Sequence, residues 1–171
     1  TRLTGARSSA QPWGVGGLGP SAAAEVRAGN REARASLAIA RDAILFGLPV
    51  LLMHRSDSHL WDLPELRRLF ELLPSDTCLD QCQYGSRSRR RTRVVGWSIG
   101  PLSGLQATCT GHAGICSRTL RHHSRSGLRF GDSKIRYYLP RALCVAAASA
   151  LRRASESLAL HRLTTLVTPH S

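Results

Sequence analysis

The chain has 171 residues, 24 of them Lys or Arg against 11 Asp or Glu, for a net charge of +13 in which Lys134 is the only lysine. About 150 residues suffice for one domain that buries roughly 70% of its unfolded surface, so one domain is expected and two full domains would be a squeeze. Five cysteines, an odd number, exclude the disulfide framework of a small secreted protein and point to reduced thiols in an intracellular compartment. The longest near-apolar run, 43–53, is about half the roughly 20 residues a membrane span needs and contains Gly47 and Pro49, so no membrane partner is expected.

In chain order, residues 1–29 are rich in Gly, Ala and Ser and read as a flexible segment, with Pro12-Trp13-Gly14 as their marked feature. The first 24 residues hold arginine and no acid, as transit segments do, but lack an amphipathic pattern; with Thr1 at the start, a chain truncated at its N-terminus is the expectation. One α/β domain is expected over 30–163. Asn30 is placed to cap a helix carrying Ala33, Leu37, Ala40 and Ile44 on one face, with Gly47 and Pro49 stopping it. Val50 to Met53 then reads as a short buried strand. A polar loop from His54 to Trp61 leads into a helix for which Asp62 and Glu65 form a capping box, with Leu63, Leu66, Phe70 and Leu73 apolar and Pro74 terminating it. Arg93 to Ile99 is expected as a second strand, and Gly100 to Gly131 shows no period. Pro140 opens a long helix with a Leu143, Ala147, Leu151, Ala154, Leu158 stripe, followed by a tail over 164–171.

Three constellations carry candidate chemistry. His54 follows the first strand, where α/β sheets bind ligands, although a solvated loop histidine is the plainer reading. Arg89, Arg90, Arg91 and Arg93 precede and enter the second strand, which would hold their planar forks rigidly against phosphates or base edges; a solvated charge run is the alternative. Cys109, Cys116 and His122, completed by His112 or His123, bring soft and borderline ligands within a short segment, with Arg118, Arg121 and Arg125 interleaved. Tetrahedral zinc uses such donors at short separations, so zinc is the one candidate metal; the alternative is a loop with buried cysteines and exposed histidines.

The stretch Asp80, Tyr84-Gly85, Arg89, Arg91, Arg93 resembles a segment of cytosine-5 DNA methyltransferases, Asp/Ala-x-x-Tyr-Gly-x-x-Gln-x-Arg-x-Arg leading into a strand. Arg91 and Arg93 match its arginines, Arg89 stands at the glutamine, and one extra residue separates Tyr84-Gly85 from the cluster. Val50 to Trp61, with Ser58, Leu60 and Trp61, is similar to the strand of that family that ends in Glu-Asn-Val or Glu-Asn-Pro. The order from Pro12-Trp13-Gly14 through Tyr138-Leu139-Pro140 and Leu143-Cys144, roughly residues 11 to 150, resembles divergent methyltransferase-like domains of mobile-element proteins.

That resemblance implies a partial Rossmann-like sheet, the C-terminal part of a methyltransferase-like domain, with an irregular Cys/His segment and a long C-terminal helix. It also implies a loss. His54 stands at the glutamate that contacts the flipped cytosine, Arg55 at the asparagine and Ser56 at the proline. The family's S-adenosylmethionine loop and Pro-Cys nucleophile turn have no counterpart in the chain, so a catalytically incomplete protein is expected. Three readings stand: a non-catalytic methyltransferase remnant with nucleic-acid-facing arginines, DNA favoured over RNA; a small basic nucleic-acid-binding module stabilised by zinc; or a mobile-element fragment without selected function, its arginine excess a coding bias. Neither the nucleic-acid target nor an oligomeric state is written in the sequence.

Overall fold

A computed structural model describes residues 5–123 and 139–167 of the chain; Arg125, Lys134, Tyr138 and residues 168–171 lie outside them. The first helix, α1 (Pro20–Leu45), begins ten residues before Asn30, the expected cap. Pro20 at its first turn and the run Ala22-Ala23-Ala24 favour that earlier start, enough to carry Gly29 and Asn30 inside the helix, where a glycine costs about 1 kcal/mol relative to alanine. Asn30 instead donates from Nδ2 to the Trp13 carbonyl at 2.7 Å. Arg7 likewise reaches the Pro12 and Val26 carbonyls, at 2.8 and 3.3 Å. The segment from Gly5 to Gly19 is thereby folded back on α1. At the other end α1 stops where expected, at Gly47 with φ +68°.

Strand β1 (Val50–Arg55) follows, then a 3-10 turn (His59–Asp62) and α2 (Pro64–Phe70). Leu63, not Asp62, caps α2. The Asp62 carboxylate is taken by His59 Nδ1 at 3.1 Å and Arg67 at 3.5 Å, which holds its pKa below the usual carboxylate range. Strand β2 (Ser75–Asp80) was not anticipated, because Ser, Asp, Thr and Cys give it neither alternation nor an apolar run. Strand β3 (Arg91–Trp97) starts two residues before the expected one. The last helix, α3 (Arg141–Val167), starts right after Pro140 and runs into the expected tail.

The three strands form one sheet in the order β1-β3-β2, with β3 antiparallel to both neighbours. The α/β class holds, while the pairing is antiparallel where a doubly wound sheet is mostly parallel. Since both flanking strands oppose β3, β1 and β2 run in the same direction, joined by a crossover through α2. Alternation along β3 then separates two cores. Val95 and Trp97 face α1 and α2, with Leu37, Trp61, Leu63, Leu66 and Leu69. Val94 faces α3 with Leu79, Leu102, Leu105, Leu143, Ala147 and Ala150. A sheet covered by helices on both faces makes three layers.

This topology decides which residues meet. Arg55 pairs with Thr92 and Asp80 with Arg91, so the carboxyl ends of β1 and β2 and the start of β3 share one end of the sheet. There Ser56 donates its N–H to the Arg91 carbonyl at 3.1 Å and Gln81 to the Arg90 carbonyl at 3.0 Å.

Candidate metal centre

Immediately after β2 the chain makes a 3-10 turn, Gln81–Tyr84, closed by Gly85 in the left-handed region. The turn aims Cys82 away from both main cores into a third cluster made with Cys109 and Cys116, all three buried. His123 completes the group: the three sulfurs and a ring nitrogen of His123 lie within 4.8 Å of one another, with Cys109 Sγ 3.7 Å from His123 Nε2. Zinc bonds near 2.3 Å to sulfur and 2.0–2.1 Å to nitrogen imply tetrahedral edges of roughly 3.5–3.8 Å, so loading requires a contraction of about 1 Å at most.

The local backbone explains which histidine is chosen. Cys116 N–H donates to the Arg121 carbonyl at 2.8 Å, His123 N–H to the Gly114 carbonyl at 2.7 Å, and Ile115 and His122 form an antiparallel bridge. Side chains alternate across such a ribbon, so Ile115 and His122 face outward while Cys116 and His123 face inward. Of the expected ligands, Cys109 and Cys116 converge. His122 and His112 are exposed and stay outside, His123 joins the group instead, and Cys82 is a candidate donor with no signal in the sequence. Cys82 lies beyond a whole strand from the rest, so spacing carries no sign of it. Cys78 on β2, half-buried, and Cys144, exposed on α3, take no part.

Hydrogen bonds to the sulfurs fit thiolates. Ser117 directs both its N–H (3.4 Å) and its hydroxyl (3.5 Å) at Cys109 Sγ, and the N–H of Gly111 adds a third bond; this lowers the Cys109 pKa to about 5. Burial opposes ionisation of Cys116, but the backbone N–H groups of Thr119 and Arg118 hold its thiol below the ordinary value. Desolvation, together with its two sulfur neighbours, pushes Cys82 up to about 12. Against its own desolvation, the sulfurs of Cys116 and Cys109 raise the His123 pKa. Two thiols biased to ionise beside one that is not is a partly formed anionic site, of the kind a divalent cation completes.

A second ring of contacts ties the cluster to the sheet. Asp80, fully buried, accepts the Cys109 N–H at Oδ2 (2.8 Å) and pairs there with Arg89 Nε (3.3 Å), while its Oδ1 is buried without a hydrogen-bond partner. Gln83 Nε2 donates to Ser117 Oγ at 3.1 Å, and Arg118 Nε to the Cys82 carbonyl at 3.0 Å. Such outer contacts orient metal ligands.

The expected arginine cluster divides. Arg93 lies over Trp61 and Phe70, its guanidinium carbon 4.9 Å from each ring centre, and forks onto Asp76, with Nε at 3.0 Å from Oδ1. Arg89 is committed to Asp80. Arg90 and Arg91 make no ion pair among the described residues and stand at the same end of the sheet as the metal cluster. His54, in register with Arg93, is exposed; partial desolvation and the neighbouring Arg55 keep its imidazole below its usual pKa. It offers a neutral ring where the methyltransferase resemblance calls for a carboxylate.

Comparison of the chain with protein-family models, with curated proteins and with solved structures finds no match in any of the three. Among the described residues no helix is long and apolar enough to cross a membrane.

Proposed function

We propose that this protein is a small, non-catalytic, basic nucleic-acid-binding module whose Cys/His segment is ordered by one zinc ion on Cys82, Cys109, Cys116 and His123. The observation that carries the reading is the convergence of these four donors, from a turn after β2 and from a ribbon well downstream, to within 4.8 Å. A buried three-sulfur, one-nitrogen set matches a closed structural zinc site with no position left for substrate. Nucleic acid as partner is supported by the charge of +13 and by Arg87, Arg90, Arg91 and Arg121, which lack ion-pair partners among the described residues.

Protein purified under reducing conditions should contain about one zinc per chain. Cys82→Ser and His123→Ala should lose it, whereas Cys78→Ser and His122→Ala should keep it. Sulfur-to-cobalt charge-transfer bands on cobalt loading give a readout that does not depend on the purified metal content. Stoichiometric zinc in Cys82→Ser, or none in the parent protein, overturns the metal assignment. Failure of the parent protein to shift a labelled oligonucleotide at low salt overturns the nucleic-acid assignment.

A second reading, descent from a cytosine-5 DNA methyltransferase-like domain, has one supporting observation. The strands β1 and β2 share a direction and are joined by a helical crossover, the unit from which doubly wound sheets are built, and such sheets do carry occasional antiparallel strands. The two readings are compatible, since a remnant that has lost turnover can keep a binding surface.

A further inference from the structure

Beside the metal cluster lies a cleft of about 310 Å³ whose wall is formed by Arg87, Arg118, Arg121 and His122, with the hydroxyls of Ser86 and Thr119. Among the described residues no carboxylate and no Phe, Tyr or Trp lines it. Those donors suit a phosphate, which accepts several charge-assisted hydrogen bonds, and no described residue of the cleft gives a base a ring to stack on. Arg118 is fixed by its bond to the Cys82 carbonyl, which leaves the rest of its fork for a ligand. Arg121 and His122 sit on the strand of the ribbon whose next residue is His123, and Arg87 follows the turn that presents Cys82. The two walls of the cleft are therefore joined through the proposed metal ligands.

We propose that this cleft binds a backbone phosphodiester of a nucleic-acid strand, and that it is assembled only when the four-residue metal centre is loaded. The proposal rests on the nucleic-acid-binding reading above and assigns that activity to Arg87, Arg118 and Arg121. Zinc with three thiolates and a neutral imidazole carries one net negative charge, so the three arginines leave the cleft cationic. Metal removal frees His123 and Cys82 from each other and lets the walls separate. Binding is then electrostatic and insensitive to base sequence, with the metal acting on it through geometry.

The experiment uses the full zinc-loaded chain and a labelled oligothymidine strand, titrated across a range of salt concentrations. Arg87→Gln with Arg121→Gln, both exposed in the parent, should bind about tenfold more weakly and flatten the salt slope by about 0.7 per lost phosphate contact, with zinc content unchanged. Arg152→Gln with Arg153→Gln, on α3 outside the cleft, should leave the slope as it was. Stripping zinc with a chelator should reproduce the loss, and orthophosphate should compete only at far higher concentration than an oligonucleotide. An unchanged slope in the Arg87/Arg121 variant moves the surface elsewhere and overturns the cleft assignment while leaving the functional reading intact. Zinc-free protein that binds as well as loaded protein overturns the metal dependence, and competition by orthophosphate at equal concentration overturns the polymer as ligand. No binding by the parent protein sinks the functional reading itself.

Discussion

Arg93 shows how one side chain changes role between sequence and structure. In the sequence it belongs to a basic run; in the fold its guanidinium is held between two aromatic rings and Asp76. Cation–π contact contributes about 0.5–1 kcal/mol at such sites and a part-exposed ion pair somewhat less, and the stem also packs. Arg93→Ala should therefore lower the unfolding free energy by about 1–2 kcal/mol, read from the urea midpoint, with oligonucleotide affinity close to the parent's. Cys82 and Cys109 define a pH dependence. The Cys109 pKa is depressed to about 5, so its thiolate stabilises the metal-free fold fully above the unfolded thiol value near 9, and that stability is lost as pH falls through about 5. Cys82, raised to about 12, must release a proton to bind metal at neutral pH. Zinc affinity should thus rise at least about tenfold per pH unit between about pH 6 and pH 8, measured against a competing chelator. A flat profile would show that Cys82 is not a ligand.

At the scale of one element, the ribbon from Cys109 to His123 buries Cys109 and Cys116 in its cluster while Ile115 and Leu120 stay exposed. It has little apolar surface of its own, and its turns hold Ala113 and Leu120 at φ 51° and 53°. A left-handed conformation costs a non-glycine residue roughly 1–2 kcal/mol, and metal bonds can offset that cost. Leu120 is 80% exposed, so Leu120→Gly should relieve strain without losing packing and tighten zinc several-fold. Gly111 is the reverse case. A β-carbon there would stand 1.9 Å from the Ile115 carbonyl oxygen and 2.7 Å from Ser117 N, backbone atoms that cannot step aside alone. Gly111→Ala should weaken zinc by at least about tenfold while the sheet unfolds at its usual denaturant concentration, and equal zinc affinity in the two proteins would contradict the ribbon geometry.

For the whole molecule, the separation of the metal cluster from the two main cores predicts separable stability. Among the described residues the cores on either side of β3 contain none of the four Cys/His donors, and the cysteine cluster contains no residue of either. Chelation should raise amide exchange across residues 109–123 while leaving β1, β3 and α3 protected, since local segments open at their own free energies; simultaneous loss of protection in the sheet would show that the centre organises the entire fold. The chain should also transfer no methyl group from S-adenosylmethionine to DNA cytosine. His54 presents an exposed, neutral imidazole at the end of β1, and one carboxylate cannot supply the rest of a flipped-base pocket. Labelled 5-methylcytosine above a heat-killed control, in the parent or in His54→Glu, would contradict this.

The sequence by itself determined the elements whose signals are local. Gly47 and Pro49 end α1, the apolar run at Val50 places β1, and Pro140 with the Leu143–Ala147 spacing places α3. It also marked Cys109 and Cys116, because soft ligands at short spacing are conspicuous without a fold. The tertiary structure alone decided the rest. Strand β2 exists because β3 supplies it with partners, since its own residues have no strand pattern. His123 displaces His122 because a two-residue side-chain period becomes readable only after the ribbon at Ile115 is formed. Cys82 joins the Cys/His group because the antiparallel insertion of β3 brings the end of β2 to the segment that follows β3, a proximity fixed by strand pairing and written in no spacing along the chain.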